Sequence, residues 1–434
     1  MKSLSTIITL TAFTLSLFGC DSTDQPSADA GADLGVDAGV REDSGTPLDS
    51  SFPSLTVLNS GDEPLAAASG PPSVLDSEAF IASTSTTIVI YRLADGRPDA
   101  RHAPLVLTST QAGGNAAGPI AVYSGANADF AFFLPTGLPQ VGVVSLGRPA
   151  RVITEDVLAG PLGGGFSADL SVRASTLYVV DAPFGQPSVV RAFDLAGFQG
   201  AGPLQEDLAR RFPLPVEDFD GDGGDDTPVA GRLQFSSDGT LGFVAFTILG
   251  NSAPALAGGL FAFDPNSGLE LGRVLVPTAG SSTIAQGFVS GFVVSESKVF
   301  VVTAEKKFVP SFEELGGHLS VYEITSRSPF AVKDLDAQRR YHQPSQRLST
   351  SDDNPVGLAV IGNLAMVVNA PFFLDGSLDV FGATDRLSLL ASHPLGGLYR
   401  DGFFVPADPK LVPGTRRFLL GTEAGTLQFE VGEP

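Results

Sequence analysis

Residues 177–197 read LYVVDAPFGQPSVVRAFDLAG, and this stretch holds the pattern that decides the fold. A short apolar run at 177–180 is followed by Pro and Gly residues, and then by a second run that carries the aromatic Phe193. β-Branched and aromatic residues favour strands, whereas Gly, Pro, Asn and Asp favour the turns between them. The stretch therefore predicts two strands joined by a turn.

The same pattern recurs along the chain from residue 52 onward, and segments of helical period are few. A repeat of about four short strands is typical of one blade of a β-propeller. We therefore predict an all-β fold for 52–434, a seven-bladed β-propeller with four-stranded blades, and keep a tandem β-sandwich as the alternative. Each repeat has one strand with an apolar and often aromatic anchor, and these anchors are Tyr91, Val144, Phe193, Phe263, Tyr322, Phe381 and Phe429.

Three strands that precede the anchors carry a recognisable signature. Residues 178–181, 300–303 and 366–369 resemble the YVTN-type strand of bacterial extracytoplasmic propellers and of the related lactonase-like propellers. The resemblance implies a propeller outside the cytoplasm. In its lactonase-like form it implies hydrolysis at a divalent ion in the central channel, where the ion polarises a carbonyl and carboxylates transfer protons. We also expect 55–58 to complete the last blade.

The stretch 218–226 reads Asp-Phe-Asp-Gly-Asp-Gly-Gly-Asp-Asp and is the sharpest chemical signal in this repeat region. Ca²⁺ binds about 6–8 oxygen atoms, and Gly223 stands where a loop around such an ion must turn sharply. An EF-hand would need Glu at the twelfth position, where Val229 stands. The alternative is a solvated acidic loop. Carboxylates at the first, third, fifth and ninth positions predict the Ca²⁺ ligands Asp218, Asp220, Asp222 and Asp226.

The acidic stretch also resembles the calcium hairpin of integrin-type FG-GAP propeller blades, in which the ninth-position Asp supplies the final carboxylate. The resemblance implies that Ca²⁺ orders the loop 217–227. The longest step between anchors, from Phe193 to Phe263, contains this loop, so we expect an insertion within the fourth repeat. The ion would then have a structural role.

The N-terminal region predicts export and lipid anchoring. Residues 1–19 form a signal peptide with one basic residue and a short apolar core. The sequence 17–20, which ends at the chain's single cysteine, Cys20, resembles the bacterial lipobox, and this implies cleavage before Cys20 and lipid on its sulfur. An ordinary signal peptide with a stray cysteine is the alternative. Residues 20–51 are rich in Asp, Ala and Gly and predict a disordered acidic tether.

Location and partners follow from these features and from the charge. A lipid-anchored protein of the bacterial cell envelope is expected, on the periplasmic or the cell-surface side, and the inner and outer membranes both remain open. The net charge of −22 argues against nucleic acid, whose phosphates need basic surfaces. We expect a monomer that contacts the membrane through Cys20 and has a protein or glycan partner.

No motif in the sequence predicts a catalytic residue. The chain has no Gly-x-Ser-x-Gly elbow, no His-Glu-x-x-His helix and no phosphate-binding Gly-Lys-Ser/Thr loop. One basic segment stands out in this acidic chain, and its side chains Arg339, Arg340 and His342 are candidates for anion binding. A solvated connection between blades is the alternative.

Three functional hypotheses follow. The first is a binding or interaction scaffold in which Ca²⁺ stabilises one loop. The second is a lactonase-like, metal-assisted hydrolase with its site at the central channel. The third is a purely structural envelope protein. Two or more carboxylates and a histidine that meet at the channel mouth would favour the hydrolase.

Overall fold

The computed structural model divides into two units, Met1–Phe52 and Pro53–Pro434, and every residue that the structure describes lies in the second. The predicted signal peptide, Cys20 and the predicted tether therefore lie outside the described residues. The described residues are 55–57, 70–83, 87–107, 117–135, 138–163, 166–183, 185–200, 202–219, 223–248, 256–277, 285–295, 297–307, 313–335, 341–342, 354–370, 376–383, 387–396, 409–422 and 425–432.

The second unit is an all-β, seven-bladed propeller, as the sequence predicts. Each blade contains an antiparallel sheet of four strands, which are consecutive in the chain in every blade but the last. The helical structure among the described residues is one short 3₁₀ turn, Leu208–Arg210. None of the helical segments in this part of the chain is long and apolar enough to cross a membrane.

The first strand of the chain, β1 (Leu55–Val57), belongs to the last blade. Blade 1 contains β2 (Ser73–Val74), β3 (Ala79–Ser83), β4 (Thr87–Arg92) and β5 (Leu105–Val106). Blade 2 contains β6 (Ala117–Ser124), β7 (Asp129–Pro135), β8 (Gly142–Ser145) and β9 (Arg151–Thr154). Blade 3 contains β10 (Phe166–Arg173), β11 (Thr176–Ala182), β12 (Val189–Asp194) and β13 (Phe212–Pro213).

Blade 4 contains β14 (Pro228–Phe235), β15 (Gly242–Ile248), β16 (Leu256–Asp264) and β17 (Leu269–Pro277). Blade 5 contains β18 (Ala285–Val294), β19 (Lys298–Lys307), β20 (Glu313–Arg327) and β21 (Phe330–Asp334), and the short β22 (Tyr341–His342) also pairs with β20. Blade 6 contains β23 (Pro355–Ile361), β24 (Leu364–Asn369), β25 (Gly376–Ala383) and β26 (Leu387–Gly396). Blade 7 contains β27 (Lys410–Leu411), β28 (Arg417–Thr422), β29 (Gly425–Val431) and β1.

Blade 7 closes the ring because it combines both ends of the propeller. β1 pairs antiparallel with β29, with Leu55 opposite Val431 and Val57 opposite Phe429. This pairing gives blade 7 its fourth strand and places strands from the two chain ends side by side. It agrees with the expectation that 55–58 completes the last blade.

The seven anchors predicted from the sequence occupy the third strand of the seven blades. Apolar side chains form seven buried clusters among the described residues, and each cluster joins two neighbouring blades. Each anchor packs in the cluster shared with the preceding blade. Phe193, for example, lies with the blade 2 residues Phe130 and Phe132, and Phe263 lies with Tyr178 and Val180 of blade 3. The anchor that recurs in the sequence is thus the residue that packs each blade against the preceding one.

Tight turns join the first and second strands of the blades. Gly239 and Gly362, which the sequence places just before two second strands, have φ of +66° and +59°. These values lie in the left-handed region that glycine enters without steric cost. The turn residues therefore define where each second strand begins.

Candidate functional site

The two faces of the propeller differ in the length of their connections. Strand direction alternates in a blade, so first-to-second and third-to-fourth connections leave on one face, which we call the turn face. Second-to-third connections and those between blades leave on the opposite loop face. The connections between blades are 58–72, 107–116, 155–165, 214–227, 278–284, 335–354 and 397–409.

The turn face is built mainly from short connections. Two third-to-fourth connections on it are long, at 93–104 in blade 1 and 195–211 in blade 3. Binding residues are found mostly on loops held by a rigid scaffold, so the loop face is the candidate functional face. The first-to-second connections of the turn face are 75–78, 125–128, 174–175, 236–241, 295–297, 362–363 and 412–416.

The predicted calcium loop lies on the loop face and joins β13 of blade 3 to β14 of blade 4. Its neck is closed by hydrogen bonds: the Asp226 amide donates to the Glu217 carbonyl at 2.9 Å, and the Phe219 amide donates to Asp226 Oδ2 at 3.0 Å. Gly223 donates its amide to Asp218 Oδ2 at 3.0 Å and has a φ of +89°. The carboxylates of two predicted ligands, Asp218 and Asp226, thus accept hydrogen bonds from backbone amides of the same loop.

Blade 4 fixes one end of this loop through an aromatic and ionic contact. The buried Phe219 ring packs against Phe246 and Phe261, with centroids 5.4 and 6.0 Å away. The Arg273 guanidinium lies 5.4 Å from the Phe219 centroid, and it forms ion pairs with Glu217 and with Glu270. Burial lowers the pKa of Arg273 and raises the pKa of Glu270, so the attraction within this pair opposes a desolvation cost. These contacts attach the base of the loop to blade 4.

The other two predicted calcium ligands, Asp220 and Asp222, lie outside the described residues. Within the described ranges, no three His, Cys, Asp or Glu side chains are grouped so that they could hold a metal ion. The calcium site therefore stays a prediction. The long step from Phe193 to Phe263 has a second cause that the sequence did not reveal: the connection 195–211 within blade 3 is also long.

The basic segment that was predicted to bind anions is described only at its end. Arg339 and Arg340 lie outside the described residues. The backbone of His342 belongs to β22, where it stands opposite His318 of β20, and Tyr341 stands opposite Leu319. The segment thus ends in a strand that is hydrogen-bonded to blade 5.

Sequence reasoning missed a carboxylate and an imidazole that meet inside blade 5. Glu305 on β19 and His318 on β20 are 2% and 3% exposed, and Glu305 Oε1 lies 3.3 Å from His318 Nδ1. The register of the two strands brings them together, since Thr303 is the direct partner of His318. The available signal was the hairpin of 298–327, in which a histidine and an acidic residue lie near the same strand ends.

A second buried carboxylate lies in blade 6. Asp379 on β25 is fully buried and accepts hydrogen bonds from Asn369 Nδ2 at 2.5 Å, Ser392 Oγ at 2.6 Å and Ser377 Oγ at 3.3 Å. Burial lowers the pKa of the nearby His393, an effect that the Asp379 charge partly opposes. Neutral donors thus hold this carboxylate in one orientation within the sheet.

A buried ionic network in blade 3 holds the connection that arrives from blade 2. Arg191 on β12 lies 3.3 Å from Asp181 Oδ2 and 2.8 Å from Glu206 Oε2, and it donates to the Pro161 carbonyl at 3.0 Å. Asp181 also accepts the Gly163 amide at 2.9 Å. Pro161 and Gly163 belong to the connection between the two blades, so the network fixes that connection to blade 3.

The first strands of successive blades lie against one another and surround the centre of the ring. Among these seven described strands, Asp169 of β10 is the one acidic residue, and none carries a histidine. Asp169 accepts the amides of Leu170 and of Leu233 on β14, each at 2.8 Å, so it ties blade 3 to blade 4. The carboxylate and imidazole that do meet, in blade 5, lie on second and third strands.

Comparison with known proteins shows similarity of fold. No protein-family model and no curated protein matches the sequence. Among solved structures, Raptor from Chaetomium thermophilum has a TM-score of 0.50 at 9% identity over 88% of this chain, which spans 30% of the Raptor chain. A chain of the mitotic checkpoint complex has a TM-score of 0.50 at 9% identity. The match covers 96% of this chain and 98% of that one.

A bacterial enzyme is also among the similar structures. The periplasmic gluconolactonase PpgL from Pseudomonas aeruginosa has a TM-score of 0.49 at 11% identity over 82% of this chain and 97% of its own. The two likenesses with a TM-score of 0.50 show, at such identities, a shared general fold alone.

Proposed function

We propose that this chain is a lipid-anchored scaffold of the bacterial cell envelope, which binds a protein or glycan partner on its loop face. The observation that carries the proposal is the difference between the two faces. The connections between blades are long and differ from one another, whereas the connections of the turn face are short except for 93–104 and 195–211. A rigid ring that presents variable loops on one side is suited to recognition.

The sequences of the loop-face connections support the same proposal. The connection 335–354 contains Arg339 and Arg340, and 397–409 contains Phe403 and Phe404. Arg and aromatic residues carry a large share of the binding energy at protein interfaces. The first strands, in contrast, supply one carboxylate and no histidine among the described residues.

The binding proposal is tested with purified protein against immobilised glycans and peptidoglycan fragments, with lactone hydrolysis measured in parallel. Saturable binding is expected, and Arg339→Ala/Arg340→Ala should weaken it. The matched control is Arg97→Ala, an exposed residue on the turn face, which should bind as the unmodified protein does. Lactone turnover that saturates with substrate would favour the hydrolase, and equal losses in both variants would contradict the choice of face.

The proposal includes a structural Ca²⁺ ion in the loop 217–227. Its support is the neck of the loop, where Asp218 and Asp226 enclose the backbone and Arg273 fixes the base. The ion would order the remaining loop residues, since the alternating carboxylates repel one another without a cation. In this proposal, a lipid on Cys20 anchors the protein to a membrane of the cell envelope.

Thermal unfolding with Ca²⁺ and with chelator tests the ion. At a Ca²⁺ concentration about 100 times the dissociation constant, a site present only in the folded state should stabilise the protein by about 2.7 kcal/mol. The variant Asp220→Ala/Asp222→Ala should lose this gain, whereas Asp225→Ala, at a loop position outside the predicted ligand set, should keep it. A gain that survives in the double variant would place the ion elsewhere.

A further inference from the structure

Two exposed apolar side chains flank the ion pair at the base of the acidic loop. Glu217 of the connection 214–227 pairs with Arg273 on β17, the outer strand of blade 4. Val216 directly precedes Glu217 in the chain. Leu275 lies two residues beyond Arg273 on the same face of β17, because the pairing with β16 is regular between these positions. Val216 and Leu275 are 40% and 39% exposed, and we call this pair the rim patch.

The rim patch adjoins an unpaired sheet edge. β17 is the last strand of its sheet, and among the described residues no strand pairs with its outer edge. Backbone N–H and C=O groups on such an edge can pair with an extended segment of another chain. Exposed apolar side chains next to an open edge are typical of a surface that binds a protein.

The charge around the rim patch selects the kind of partner. The connection 214–227 has six acidic residues and no basic one, so a bound Ca²⁺, with two positive charges, would still leave it at −4. Arg273 is shared between two carboxylates, and the region stays acidic. The two long connections of the turn face, 93–104 and 195–211, each have two acidic and two basic residues. Because complementary charge decides which partners approach a surface, the rim patch favours a basic protein over an anionic glycan.

We propose that the rim patch binds a protein segment in which apolar side chains alternate with basic ones. The apolar side chains cover Val216 and Leu275, and the segment pairs with the outer edge of β17. The basic side chains face the carboxylates of the connection 214–227, of which Asp225 is exposed and lies outside the predicted Ca²⁺ ligands. This inference rests on the proposed function, because it names the class of partner that the scaffold binds.

The experiment measures binding of the purified protein to immobilised peptides by surface plasmon resonance. The probe is a short peptide of alternating Lys and Leu, and its matched peptides replace every Lys by Glu or every Leu by Ser. We expect saturable binding to the Lys-Leu peptide that weakens as salt rises, weaker binding to the Lys-Ser peptide and none to the Glu-Leu peptide. Val216→Ser/Leu275→Ser should weaken binding about tenfold because apolar burial is lost, and Asp225→Asn about twofold because one charge is lost.

Matched variants elsewhere separate this surface from a general attraction to an acidic protein. Leu208→Ser/Leu269→Ser removes two other exposed leucines, and Asp194→Asn removes one exposed charge on the turn face. Both should bind the Lys-Leu peptide as the unmodified protein does, and unfolding temperatures confirm that each variant is folded. Equal losses in both sets of variants, or equal binding of the Glu-Leu peptide, would overturn the proposal. No binding of the Lys-Leu peptide, with glycan binding that depends on Arg339 and Arg340, would overturn this choice of partner and leave the proposed function standing.

Discussion

Replacement of Arg191 by Met tests how much the buried ionic network of blade 3 contributes to stability. Arg191 is 11% exposed, and its partners Asp181 and Glu206 are 7% and 13% exposed. Methionine keeps an apolar stem of similar length, so packing over the Phe193 ring, now 5.4 Å from the guanidinium, is largely kept. The variant thus removes the charge and its hydrogen bonds.

The expected loss follows from the groups that remain. Asp181 loses the Arg191 cation, whereas Glu206 keeps a 3.7 Å ion pair with Arg211. Removal of one partner from a buried ion pair costs about 3–5 kcal/mol. The Pro161 carbonyl also loses a donor, although solvent can reach this partly exposed contact. We expect Arg191→Met to lower the free energy of unfolding by about 3–5 kcal/mol.

Urea unfolding followed by fluorescence of the tyrosines measures this loss. The matched control is Arg417→Met, because Arg417 and Glu430 are 38% and 43% exposed and 3.4 Å apart, and such surface pairs contribute about 0.2–1 kcal/mol. Adding Asp181→Asn and Glu206→Gln to Arg191→Met should recover part of the loss, since the buried charges are then gone. A loss no larger than that of the control, or no recovery in the triple variant, would refute the reasoning.

Three further predictions concern the core, a turn and an acidic side chain. Phe263→Ala should cost about 3–5 kcal/mol in urea unfolding because the ring is fully buried between blades 3 and 4, whereas the exposed Leu269 should tolerate Ala. Gly362→Ala should cost about 1–2 kcal/mol by the same assay, although no atom lies within 4 Å of an added Cβ, because its φ is +59°; an unchanged midpoint would contradict this. Arg101 holds the pKa of Asp99 at about 2, below its ordinary 3.8, so stability present above pH 3.8 is lost as the pH falls toward 2; the unfolding temperature of Asp99→Asn should vary less over this range, and an equal slope would count against the pair.

The architecture was predictable because each blade repeats one packing contact. An anchor such as Phe193 or Phe263 must be large and apolar, since it fills the space against the preceding blade, and this need recurs in every repeat. Chain turns such as Gly239 are equally local, because the positive φ belongs to the glycine itself. Features set by one or two neighbouring residues are therefore visible in the sequence.

The buried polar groups were not predictable, because their roles depend on strand register and on contacts between distant segments. Asp181 resembles a turn residue at a strand end, yet it holds the amide of Gly163 in the preceding connection. Glu305 adjoins two lysines in the sequence and looks like a solvated charge, yet it is buried against His318. Only the pairing of β19 with β20 brings that carboxylate and imidazole together.

The pairing of β1 with β29 determines the order in which the protein can be completed during synthesis. β1 is made before the other strands of the propeller and its partner β29 after them, so β1 must wait for nearly the whole propeller. Contacts between residues so distant in sequence form slowly, and until they form the nascent chain has an uncovered sheet edge. Ring closure therefore follows the synthesis of every other strand of the propeller, and the interval before it is when this edge is most exposed to misassembly with other chains.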